Sequence, residues 1–113
     1  VEPRIMRVGP AYAIPLALER AKLNLKDMGV IEINEAFASQ VLGCLKLMNV
    51  DFKDPRVNPN GGAIAIGHPL GCSGARLALT VSRQLKETGG RCAAVSLCIG
   101  VGQGLAVILE NVR

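Results

Sequence analysis

Two nearly continuous apolar runs, residues 92–98 and 105–109, constrain the fold of this chain more than any other feature. A strand with one wet face alternates apolar and polar side chains, whereas an unbroken apolar run implies cover on both faces of a sheet. The glycine-rich stretch Gly100-Val101-Gly102-Gln103-Gly104 separates the two runs. So short a connection joins antiparallel neighbours, since a parallel pair needs a long crossover. The end of the chain is therefore predicted to be a buried hairpin.

The rest of the chain supplies the cover. Residues 11–22 follow a helical pattern opened by Gly9-Pro10, with Pro15 expected near its first turn because a proline deeper in would break it. Val30-Ile31-Glu32-Ile33 reads as a short strand in which Glu32 is an unusual guest. Across residues 35–49, the side chains of Phe37, Val41, Cys44, Leu45 and Met48 fall on one helical face and read as core packing. The run Ala63-Ile64-Ala65-Ile66 reads as a further strand. Ser73 is placed to cap a helix reaching Thr88, with Leu77, Val81 and Leu85 as its apolar row and Gly89-Gly90 as its end. The predicted order is helix-β-α-β-α-β-β. It defines an α/β fold, one domain with a mixed sheet, helices on both faces and one sheet face in need of a partner.

At 113 residues, half of them apolar and 19% charged, the chain has room for a modest core and is not disordered. The net charge of +4 comes from scattered lysines and arginines. With no basic tract, and with Tyr12, Phe37 and Phe52 far apart, nucleic-acid binding finds little support, and an anionic small molecule suits the charge equally well. Cys44, Cys72, Cys92 and Cys98 form no C-x-x-C pair, and with a single histidine a metal site is not expected. Cys44 and Cys92 sit in apolar patterns and read as buried thiols. No run reaches membrane-spanning length and no signal peptide is visible, so a cytoplasmic or organelle-lumen location is expected. The chain starts at Val1 rather than methionine and reads as part of a longer protein.

Three loops carry chemistry. The longest, residues 58–76, holds the only histidine, His68, between Gly67 and Pro69, and five glycines. Taken alone, His68 reads as a solvent-facing turn residue. The other two are Glu32-Ile33-Asn34-Glu35-Ala36-Phe37-Ala38 and Cys98-Ile99-Gly100-Val101-Gly102-Gln103-Gly104, and each of the three is expected at the end of a strand. A thiolate at Cys98 is a base or nucleophile, His68 can activate a thiol or donate to a carbonyl oxygen, and the Asn34 carboxamide orients water or imidazole without titrating. Glycine at position 100 leaves a backbone N–H free to meet a developing oxyanion. Thiol, imidazole and carboxamide together suit acyl transfer through a thioester, although Cys98 by itself reads as a buried structural cysteine.

In order, spacing and identity, Asn34-Glu35-Ala36-Phe37-Ala38, the stretch from Asn60 through Gly67-His68-Pro69 to Arg76, and Cys98-Ile99-Gly100-Val101-Gly102-Gln103-Gly104 resemble the C-terminal half of a thiolase. The resemblance covers essentially the whole chain, so residues 1–113 are expected to be a thiolase C-terminal domain. It implies acyl transfer between a 3-oxoacyl-CoA and coenzyme A, by thiolytic cleavage or reverse Claisen condensation, with CoA as co-substrate and no bound cofactor. It further implies that His68 activates a nucleophilic cysteine and helps bind the thioester oxygen, while Asn34 holds a water of the same oxyanion hole. Cys98 would be the acid/base, the Gly100 N–H would join a second oxyanion hole, Ala36 and Phe37 would line the pantetheine channel, and Glu35 would support its loop. The expected partners are an N-terminal thiolase half and further copies of the subunit in a dimer or tetramer. The expected compartment is the cytoplasm, or the mitochondrial matrix or peroxisome in a eukaryote.

The family places its acyl-accepting cysteine in the N-terminal half, and no residue here corresponds to it; Cys72 is not assigned that role. The 113 residues alone are therefore expected to be inactive. Gly71-Cys72-Ser73-Gly74 and the Cys98 loop look most like degradative members, acting on fatty 3-oxoacyl-CoA or 3-oxoadipyl-CoA, with a biosynthetic acetoacetyl-CoA thiolase also open. Two other readings stand beside these. One is a ketosynthase-like condensing enzyme, which typically uses two histidines where this chain has one. The other is a non-catalytic thiolase-like domain that binds acyl-CoA or packs in an oligomer.

Overall fold

The computed structural model describes residues 3–99 and 103–112. After a 3-10 segment, Pro3–Val8, come helix α1 (Pro10–Ala21), strand β1 (Met28–Ile33), helix α2 (Ala38–Leu47), the short helix α3 (Ala63–Ile66), helix α4 (Ser73–Thr88) and strands β2 (Cys92–Ile99) and β3 (Gln103–Glu110). The sheet order is β1-β2-β3. β1 runs parallel to β2, and β2 antiparallel to β3, with Cys92 opposite Glu110 and Cys98 opposite Gly104. The expected α/β fold, with a mixed sheet and a terminal antiparallel pair, is the observed one.

Helices cover both faces, but they are offset. α1 rests on β2 and β3, whereas α4 rests on β1 and β2. On the α1 side, Ile14, Leu18, Ile31, Ile33, Cys92 and Ala94 pack with Val41, Cys44 and Leu45 of α2. On the α4 side, Leu77, Val81 and Leu85 meet Val30, Ala93 and Val95. Each large aliphatic buried here contributes about 1.5–3 kcal/mol relative to exposure, so the two layers hold the sheet between them. Gly89, in the left-handed conformation, ends α4 as its sequence predicts.

The offset explains where continuous apolarity misleads. The first five residues of β2 are buried, but Leu105 and Val107 of β3 stay half exposed, because α4 rests mainly on β1 and β2 and meets β3 only near Leu109. Together with Leu97, Leu109, Gly74 and Ala78 they line an apolar groove of about 210 Å³ on the α4 side. The α4-side face thus lacks cover over part of β3.

Four local expectations are corrected. Ala63–Ile66 is helical, not a strand. Its bonds close locally, from Ile66 N to Gly62 O at 3.1 Å and from Gly67 N to Ala63 O at 2.7 Å, and Ile64 and Ile66 face outward. The sheet therefore has three strands among the described residues. Phe37 is not in the core stripe: its extended backbone (φ −150°, ψ 149°) delays α2 to Ala38 and leaves the ring half exposed, while Val41, Cys44 and Leu45 are buried as expected. Pro15 lies past the first turn, because α1 starts at Pro10. Ser73 is the first residue of α4 rather than its cap; Cys72 holds that position, and the Ser73 hydroxyl is used elsewhere.

One close approach ties the hairpin to α1. A Cβ on Gly104 would lie 2.6 Å from the Gly9 carbonyl carbon, and a Cβ on Gly9 would lie 2.8 Å from the Gln103 oxygen. Backbone meets backbone there, and only glycine on both sides permits it.

Candidate active site

The site begins where β1 ends. Asn34 N donates to Ser96 O at 2.9 Å, which carries the β1–β2 ladder one residue past Ile33 and buries the Asn34 side chain. The free edge of β1 is closed by Asn58, whose Oδ1 accepts from Ile33 N at 2.9 Å and whose Nδ2 donates to Ile33 O at 3.0 Å. A side-chain amide thus completes the strand's hydrogen bonding where no further strand pairs. Glu35 then fastens the incoming loop. Its Oε2 accepts from Asn58 Nδ2 at 3.0 Å and its Oε1 from Ile64 N at 3.2 Å, a carboxylate satisfying a free N–H at the start of α3.

That loop delivers His68. Gly67 adopts φ 95°, a conformation unfavourable for other residues, and turns the chain out of α3 so that the imidazole falls back toward β1. His68 Nε2 lies 3.3 Å from Asn34 Nδ2, and Nδ1 is in hydrogen-bond contact with Ser73 Oγ. Ser73 donates in turn to Pro69 O at 3.3 Å, so its hydroxyl accepts from the imidazole. With the amide in this orientation, Nδ1 carries the proton and Nε2 presents a lone pair, the arrangement of a general base. The imidazole is held at both ends.

Two buried groups lie on the same side of β1. Asn34 Oδ1 has no hydrogen-bond partner, and neither has either carboxylate oxygen of Glu32. Glu32 is fully buried, with Arg76 Nη1 of α4 3.8 Å from Oε1. Burial pushes its carboxyl up to about 7, against the lowering pull of Arg76 and with a further push from Glu35.

Cys98 stands on β2, half-buried, on the alternation that places Cys92, Ala94 and Ser96 toward α1. No hydrogen bond joins it to His68 or Asn34. Its neighbour Cys44 is buried, and that burial pushes the Cys44 thiol up, with Cys98 adding to the push. Ala36 is half-buried and Phe37 exposed, both on the loop that follows Asn34. Gly100 lies outside the described residues. The structure therefore brings Asn34 and His68 together and sets Cys98 on the neighbouring strand. Sequence reasoning missed Ser73 as the imidazole's second partner and Asn58 as the brace of β1. Glu32 did carry a signal, a charged residue inside an apolar strand.

This is a thiolase-like α/β layer, the architecture the chain shares with human mitochondrial 3-ketoacyl-CoA thiolase crystallised with CoA (TM-score 0.95, 47% identity, 99% of this chain and 28% of that one). A family model described as the thiolase C-terminal domain matches residues 1–111, and the chain belongs to the thiolase family. The 3-oxoadipyl-CoA/3-oxo-5,6-dehydrosuberyl-CoA thiolase of Escherichia coli K12 is 59% identical over 112 residues, 99% of this chain and 28% of that protein. The dimeric peroxisomal thiolase of Saccharomyces cerevisiae superposes with a TM-score of 0.88 at 50% identity, over 97% of this chain and 27% of that one. The chain thus spans little more than a quarter of the length of the relatives it matches.

Proposed function

We propose that this chain is the C-terminal catalytic half of a degradative thiolase, moving an acyl group between a 3-oxoacyl-CoA and coenzyme A. The observation that carries the reading is the imidazole of His68, held by Asn34 at Nε2 and by Ser73 at Nδ1, in a chain of the thiolase family. In this reading the cysteine thiol supplied by an N-terminal half displaces the Asn34 N–H from His68 Nε2, which takes the thiol proton and then helps bind the thioester oxygen. Asn34 holds a water beside it in that oxyanion hole, and its unpartnered Oδ1 suits the task. Cys98 moves the proton on the substrate α-carbon or on CoA, and the Gly100 N–H serves a second oxyanion hole. Ala36 and Phe37 line the pantetheine channel, to which the half-exposed Phe37 ring offers apolar surface.

The relative named for 3-oxoadipyl-CoA favours a dicarboxylic 3-oxoacyl-CoA as substrate, and the dimeric yeast enzyme favours a homodimer. The test uses the full-length protein. His68→Ala should slow acylation of the nucleophile and cut thiolysis by about 10²–10⁴-fold, while Cys98→Ala should remove one limb of the pH–rate profile. Thiolysis that is unchanged in His68→Ala refutes the assignment.

A further inference from the structure

Glu32 has no part in the chemistry above, yet it is fully buried, with both carboxylate oxygens lacking a hydrogen bond. An isolated carboxylate in such a place costs several kcal/mol, and an apolar side chain would fill the same space at no such cost. Its location suggests a use. Glu32 precedes Asn34 by two residues, on the same side of β1, and Arg76 lies in the first turns of α4, three residues after Ser73. Among the described residues, the Glu32–Arg76 ion pair is the only polar link between the side chains of β1 and α4.

The two anchors of His68 lie on different elements, Asn34 at the end of β1 and Ser73 at the start of α4. Both can hold one rigid imidazole only while the separation of those elements stays constant. The apolar row Leu77, Val81 and Leu85 keeps α4 on the sheet, but such packing is non-directional and starts a turn beyond Ser73. We propose that Glu32 is a positioning residue for His68: with Arg76 it sets the first turns of α4 against β1, and so sets the Ser73–Asn34 span in which the imidazole sits. The inference rests on the reading of His68 as a general base.

Glu32→Gln in the full-length protein keeps the side chain's shape and removes its charge, leaving the apolar row to hold the fold. Its crystal structure should show the Ser73–His68 or Asn34–His68 contact opened beyond about 3.5 Å. Turnover per titrated active site should fall about tenfold with KM for CoA within about twofold, the signature of a misplaced catalytic group rather than of lost protein. Arg76→Met, at a half-buried helix position, should do the same and serves should Glu32→Gln fail to fold, while Glu32→Asp should recover part of the loss. Intact imidazole contacts, or undiminished turnover per site, overturn the proposal. A parent protein without thiolysis would instead sink the catalytic reading, and the imidazole contacts in the Glu32→Gln crystal would still decide the positioning role.

Discussion

The two faces of β1 were built for different ends. Ile31 and Ile33 look toward α1 and α2 into a wholly apolar layer, while Glu32 and Asn34, interleaved with them, look the other way into a buried region with three unpartnered oxygens. On the first face Ile31 and Ile33 are held by apolar packing. On the second, Val30 begins an apolar layer that turns polar toward the strand's end, where Asn34, Ser73 and His68 converge. One six-residue strand thus separates stability from chemistry by the two-residue period of its side chains. Each face should therefore respond to perturbation with little effect on the other.

The largest effect on folding should come from the apolar face. Ile31 is fully buried, and Ile31→Ala should lower stability by about 2–5 kcal/mol, read as a lower denaturation midpoint, with turnover per folded subunit unchanged. Lost turnover at full folding would show that the two faces are coupled. The polar face should respond to pH instead. The Glu32 carboxyl is raised from 4.5 to about 7 in the folded state, so the folded chain holds this proton more tightly than the unfolded chain does. Its contribution is therefore complete below about pH 4.5 and is lost as the pH rises through about 7, an effect on the order of 3 kcal/mol. Denaturation midpoints taken between about pH 5 and pH 8 should fall in the parent, and Glu32→Gln should flatten that fall. An identical slope in the variant would assign the effect to other groups. The smallest effect belongs to neither face. Arg91 and Glu110 form an exposed pair at 3.3 Å, and Arg91→Ala should change stability by less than about 0.5 kcal/mol.

The same contrast separates what was legible in the sequence from what was not. The β2–β3 pair, the row Leu77, Val81 and Leu85, and the Gly89 cap rest on local patterns, and all appear where those patterns put them. Asn34 and His68 were legible as candidates because a carboxamide and the only imidazole stand in shaped loops, and they meet at 3.3 Å. Residues 63–66 were misread because Ala-Ile-Ala-Ile suits a buried strand and a short helix alike. Glu35, distant in sequence, accepts from Ile64 N and favours the helix, and β1 offers no open edge there because Asn58 has already taken it. Ser73 was read as a cap for a similar reason. A serine before a helical pattern usually turns its oxygen to the helix's own N–H groups, but here the imidazole claims it.

By itself, the sequence determined the element types with strong periodicity, the pairing forced by a short connection, and the chemical groups available to a site. These depend on residues near one another in the chain. Only the tertiary structure decided that Ser73 and Asn34 share the imidazole, and that Glu32 is buried beside Arg76. Each of those is a contact between elements far apart in the chain, and its energy depends on a distance that packing alone sets.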